Sequence, residues 1–223
     1  MTKRESMRLE EFVNGEFYHI YNRGVDRQTI FRDREDYIVF LRSLYAYNNL
    51  QTMMGPKSRY CPLVSVLSYC LIPNHFHLAL RQEHDQGISK YLHKVEMRYA
   101  KHFNAKYART GRFFESAFNA QHVSSDAYLE HLPKYIHLNA LDLTPHDWRN
   151  GTVLNWPNAL NFLDQYPWSS HHVYKTRSEA LPIINMKAVD EIFPSTEEYL
   201  ASLKQWSQAE ISFLSLSNLL VTT

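Results

Sequence analysis

LVSVLSYCLIPNHFHLAL, residues 63–80, is the stretch whose reading decides the fold. Leu63–Ile72 is an unbroken run of apolar and small residues, the pattern of a strand buried on both faces. Pro73–Asn74 is a turn, and HFHLALRQ (75–82) alternates as the next strand. So short a link cannot hold a parallel crossover, so the two strands pair antiparallel. Upstream, EFYHIYNRG (16–24) alternates bulky and polar residues as a strand and ends in a turn at Asn22–Gly24. Asp33 caps a predicted helix over 34–48, where Tyr37, Phe40, Leu41, Leu44 and Tyr47 form one apolar stripe. Residues 49–62 carry Asn, Gly and Pro and read as a loop.

Downstream, 86–107 reads as a helix with Ile88, Tyr91, Leu92, Val95 and Tyr99 on one side and basic residues elsewhere. Residues 108–116 read as a loop and 118–123 as a short strand. Ser124 or Ser125 caps a helix that runs to about Ala140, interrupted at Pro133. The order strand, helix, strand, strand, helix, strand predicts an α+β ferredoxin-like sandwich, an antiparallel sheet with helices on one face, followed by a last helix. Residues 142–165, rich in Asn, Asp, Trp and Pro, read as loop, and 166–223 as short helices such as 186–193 and 196–206. The expected division is therefore a domain over 1–141 and a C-terminal appendage over 142–223.

The chain has 223 residues, a formal net charge of +1, 44% hydrophobic and 21% charged residues, values that exclude wholesale disorder. No apolar run approaches about 18 residues, so no transmembrane helix is expected. MTKRESMRLEEF lacks the apolar stretch of a secretory signal. Cys61 and Cys70 cannot make a disulfide framework, and a cytoplasmic location with reduced, buried thiols is the expectation. Charge is uneven. Residues 1–141 hold 19 Lys+Arg against 14 Asp+Glu, and 142–223 hold 5 against 9. A basic half suits a polyanion, although a solvated basic face leaves the same imbalance.

Two short patterns carry chemistry. His75 and His77, at i and i+2 of a strand, project from one face and make half of a divalent-metal site. Two hydrogen-bonded histidines on a sheet face would leave the same pattern. In KYIHLN (134–139), Tyr135 and Asn139 stand one helical turn apart, a phenol beside a carboxamide oxygen. A core packing stripe of His131, Leu132, Tyr135 and Leu138 is the other reading. His137 points away from Tyr135 and is expected to be exposed.

Together YHIYNRGVDRQTIF (18–31), YCLIPNHFHLAL (69–80), TGRFFES (110–116), YIHLN (135–139) and YPWSS (166–170) resemble the HUH single-strand DNA transposases with one catalytic tyrosine (transposase IS200-like). The REP-associated tyrosine transposases are the branch they resemble most. The resemblance implies the ferredoxin-like fold, His75 and His77 as metal ligands, Tyr135 as nucleophile and Asn139 as third ligand. It implies Mg²⁺ or Mn²⁺ as cofactor and single-stranded or hairpin DNA as partner. The implied reaction is DNA cleavage and strand transfer through a 5′-phosphotyrosine that leaves a free 3′-hydroxyl. A monomer and a homodimer are both compatible with it, and no membrane is involved.

DNA contacts are expected from Lys90, Lys94, Arg98 and Lys101, which share a helix face, from Arg109 and Arg112 in the loop, and from Arg23 and Arg27 after the first strand. Phe113 and Phe114 are candidates to stack on bases. The sequence departs from the family pattern at three places. Ala140 stands where the family has proline, no arginine follows directly, and Pro133 lies two residues before Tyr135. The alternative function is a catalytically degenerate or domesticated protein that binds hairpin DNA without cutting it.

Overall fold

The computed structural model describes residues 11–48, 62–150, 153 and 155–208. The loop expected over 49–62 and the Cys61 thiol therefore lie, apart from residue 62, outside the described residues. Four strands form one sheet: β1 (Phe17–Arg23), β2 (Val64–Ile72), β3 (His75–Gln82) and β4 (Asn119–His122), in the order β2-β3-β1-β4 with every pairing antiparallel. That is the ferredoxin-like sheet expected from the sequence. The β2–β3 hairpin turns at Pro73–Asn74, as read.

Helices α1 (Arg34–Tyr47) and α2 (Gly87–Lys106) pack on the face that carries Phe76. The Phe40 ring of α1 lies 4.9 Å from Phe76 and 5.1 Å from Tyr99 of α2. Asp33 caps α1, accepting from the Glu35 and Asp36 N–H groups, which satisfies donors that a helix start leaves orphaned. Gly24, at the end of β1, admits no side chain: a Cβ there would meet the Gln28 carbonyl at 2.5 Å and Ile30 at 2.6 Å. Its N–H donates to the Asn74 carbonyl at 3.0 Å, tying the end of β1 to the turn before His75.

Helix α3 (Asp126–Leu138) covers the opposite face of the sheet, packing on β2 and β3. Ser125 is its cap, accepting from the Tyr128 N–H at 3.2 Å. Pro133 does not interrupt it. The helix runs through, and the loss of one backbone bond, intrinsically about 3 kcal/mol, is offset by burial of Leu132, Pro133, Ile136 and Leu138. The second correction concerns 142–165. It is not loop throughout: 3₁₀ turns at Asn139–Leu143 and Trp148–Asn150 lead into α4 (Trp156–Gln165), which Asn155 caps.

Three further helices follow: α5 (His171–Thr176), α6 (Met186–Ile192) and α7 (Thr196–Gln208). Their connections line the free edge of β2, which would otherwise expose a row of unpaired backbone groups. Leu71 N–H donates to the Trp168 carbonyl, Ser170 N–H to that of Tyr69 and Asn185 N–H to that of Val66, each at 2.9 Å. Cys70 is free and fully buried, as a structural thiol is. No helix among the described residues is long and apolar enough to cross a membrane.

Candidate functional site

Strand parity puts His19, Tyr21 and Arg23 of β1 on the same face as His75 and His77 of β3, since Tyr21 pairs with His77 and Arg23 with His75. Helix α3 lies over this face and lowers Tyr135 onto it. The Tyr135 ring stands edge-on to His77 at 5.9 Å and to His19 at 5.6 Å between centroids. Trp148 at 5.6 Å and Trp206 at 6.3 Å flank it, leaving the residue half-buried. The structure thus brings the histidine pair, Tyr135 and Asn139 into one cluster.

Each histidine of the pair is held by one ring nitrogen. His75 Nδ1 lies 2.6 Å from Asn74 Oδ1, and an amide oxygen can only accept, so Nδ1 carries the proton. His77 Nδ1 lies 2.9 Å from His19 Nε2. Burial lowers the His19 pKa to about 3 and that of His75 to about 4, and drives His77 well below the ordinary value. Arg149, Arg23 and the neighbouring imidazoles push the pair in the same direction. Neutral imidazoles whose Nδ1 atoms are engaged leave Nε2 to a metal, so the pair fits a divalent ion.

Asn139 fits less simply. Its Nδ2 donates to the Tyr135 carbonyl at 2.6 Å, and its Oδ1 accepts from Arg149 Nη2 at 3.0 Å. The oxygen expected to ligate a metal is already bonded to a cation. Among the described residues no cluster of three His, Cys, Asp or Glu side chains is disposed to hold a metal ion.

Burial raises the Tyr135 pKa, opposed by the positive charge of Arg149 and by the Asn139 side chain. Arg149 stands 5.9 Å over the Tyr135 ring and 4.3 Å over that of Trp148, and it is paired with Asp142. Neither His19 nor Arg149 was singled out from sequence. For His19 the signal was available, because the alternation of YHIYNR puts it in phase with Tyr21 and Arg23. For Arg149 there was none, because it sits in a short 3₁₀ turn that returns to the site.

The basic residues divide. Arg23, Arg27 and Arg112 gather around Glu115, whose carboxyl they hold below the ordinary range, Arg23 by direct pairing. This group borders His75, which Arg23 also influences. Lys90, Lys94, Arg98 and Lys101 lie on α2, across the sheet from Tyr135. Arg109 lies 6.0 Å over the Phe113 ring.

Phe113 and Phe114 are not exposed. They are buried at 3% and 6% exposure against Phe103, Tyr99 and Phe76, because two adjacent aromatics gain more by filling the layer under α2 than by facing water. His137 is likewise fully buried rather than exposed. It lies between Ser170 Oγ at 2.8 Å and Tyr199 Oη at 2.8 Å, because the C-terminal helices cover the side of α3 turned away from Tyr135.

No curated protein matches the sequence significantly. Among solved structures, a REP-associated tyrosine transposase bound to a REP hairpin is similar, with 13% identity, a TM-score of 0.49, and coverage of 80% of this chain and 89% of that one. Residues 49–139 match a family model described as "Transposase IS200 like". Those residues include both ligand-competent histidines, Tyr135 and Asn139, so it is in the IS200-like transposase family that the stretch building this cluster has its match.

Proposed function

We propose that this chain is a metal-dependent endonuclease and strand-transferase acting on single-stranded DNA at or near a hairpin, with Tyr135 as its nucleophile. The observation that carries the reading is the edge-on contact of the Tyr135 ring with His77 and His19, which brings a phenol and two neutral imidazoles to one point of the sheet. His75 and His77 would hold the ion, Mg²⁺ or Mn²⁺, through Nε2. When bound, it supplies Lewis-acid polarisation of the scissile phosphate.

Tyr135 Oη releases its proton to solvent and attacks phosphorus, the O–P bond to Tyr135 forms, and the bond to the 3′-oxygen breaks. That oxygen takes a proton and leaves as a 3′-hydroxyl. The resulting 5′-phosphotyrosine conserves the phosphodiester, so a 3′-hydroxyl can reverse the attack and join strands without ATP. Since burial holds the phenol protonated in the free protein, Arg149 works in the productive direction by favouring the phenolate. Arg23, Arg27 and Arg112 at the edge of the site would take backbone phosphates. Lys90, Lys94, Arg98 and Lys101, across the sheet, would serve a second stretch of nucleic acid, and Arg109 the loop between them.

The engagement of Asn139 Oδ1 by Arg149 favours a second reading, a hairpin-binding protein that does not cut. Incubation with a labelled REP-type hairpin and Mn²⁺ separates the two. A covalent protein–DNA adduct that Tyr135→Phe abolishes supports cleavage. Binding without adduct in Mn²⁺ and in Mg²⁺ supports the second.

A further inference from the structure

The Arg149 guanidinium has five N–H donors in a rigid fork. Nη2 is spent on Asn139 Oδ1 and on Asp142. Nη1 is buried and has no hydrogen-bond partner. A buried donor left without a partner is destabilising, and a pairing with Asp142 alone gives no reason to turn Nη1 inward. The plane is fixed on its other side by Trp148, 4.3 Å away. The guanidinium stands 5.9 Å over the Tyr135 ring, beside the phenol.

We propose that Arg149 is a phosphate-binding residue of this site, anchored by Asn139 and Asp142 so that its free Nη1 meets a backbone phosphate oxygen beside Tyr135. Asn139 is then a positioning residue for Arg149. The inference deepens the nuclease reading and rests on it for the identity of the phosphate as DNA, while the anion site itself can be tested without cleavage. A guanidinium suits this task because its fork matches two phosphate oxygens, where an ammonium offers only a point charge.

The test titrates inorganic phosphate into the metal-free protein and follows the His77 imidazole ¹⁵N resonances and the Tyr135 ring resonances. Saturable shifts are expected in the wild type. Arg149→Gln should weaken them at least tenfold, and Arg149→Lys should fall between the two. Wild-type resonances that do not respond, or an Arg149→Gln protein that responds as the wild type does, overturn the proposal. If Arg149→Gln fails to fold, Arg149→Lys decides alone: unchanged affinity overturns the proposal, and a loss of about threefold or more supports it. If neither variant folds, Arg149 is a structural pairing and the proposal is overturned. A wild type that binds phosphate through Arg149 yet forms no DNA adduct would sink the nuclease reading and leave this one standing.

Discussion

His77 Nδ1 lies 2.9 Å from Nε2 of His19, so a buried imidazole on β1 sets the orientation of the imidazole that faces Tyr135 from β3. For His77 to offer a lone pair at Nε2, its proton must sit on Nδ1 and be donated to His19 Nε2. His19 then carries its own proton on Nδ1, a buried atom without a partner. The tautomer that suits metal binding therefore leaves one unsatisfied donor, a cost the ion would have to offset.

The first prediction follows from that pair. His19→Phe keeps a ring of similar size and removes the acceptor that fixes the His77 tautomer. Mn²⁺ affinity, read by electron paramagnetic resonance, is expected to fall about 10–100-fold, as for other partners of metal-bound histidines. His19→Gln, whose amide oxygen can accept from Nδ1, should recover part of the loss. Equal affinity in all three proteins would separate His19 from the metal site.

Tyr135→Phe tests the nucleophile. The adduct should disappear below detection, while hairpin affinity changes less than about threefold and stability by less than about 0.5 kcal/mol. Gel-shift and thermal melts read the two controls. An adduct that survives the substitution would point to Tyr21, which lies on the same sheet face 5.9 Å from the His77 ring.

Local periodicity made part of this site legible before any coordinates. Two-residue spacing put His75 beside His77, and four-residue spacing put Tyr135 over Asn139, because both relationships are internal to one element. The ferredoxin-like fold class followed from the order of strands and helices along the chain. What resisted was non-local. His19 meets His77 only through the register of β1 on β3, and its nearest strand partner is Ala79 rather than His77. Arg149 arrives from a 3₁₀ turn with no period to read. His137 and the Phe113–Phe114 pair were misjudged for one shared reason: their burial is created by elements packing from elsewhere in the chain.

The Glu96 carboxyl predicts a pH dependence of stability. It accepts from Asn22 Nδ2 at 2.8 Å, and burial raises its pKa from 4.5 to about 7 against that hydrogen bond. The folded protein therefore binds this proton more tightly than the unfolded chain does. Its contribution is fully present below about pH 4.5 and is lost as pH rises through about 7. From pH 5 to 8 the term should cost roughly 2 kcal/mol. Glu96→Gln, which can still accept from Asn22, should flatten that slope in urea melts and leave the variant the more stable protein at pH 8. A slope unchanged by the substitution would assign it to other groups.

The last prediction concerns the buried polar chain that joins α3 to the C-terminal helices. Tyr199 Oη lies 2.8 Å from His137 Nδ1 and 2.6 Å from His171 Nδ1, and His171 Nε2 continues to Asp164 at 3.1 Å. A hydroxyl between two ring nitrogens must donate to one and accept from the other, so the two histidines carry opposite protons at Nδ1. Since His171 Nε2 faces a carboxylate, its proton belongs there and its Nδ1 accepts from Tyr199. His137 then donates from Nδ1 to Tyr199 and accepts from Ser170 at Nε2. Tyr199→Phe strands a donor on one imidazole and an acceptor on the other, and should cost about 1–3 kcal/mol for each. The loss should appear in urea melts. His137→Phe made in the same background should add little further, since the partner is already gone, whereas full additivity would mean that the two side chains do not share this hydrogen bond.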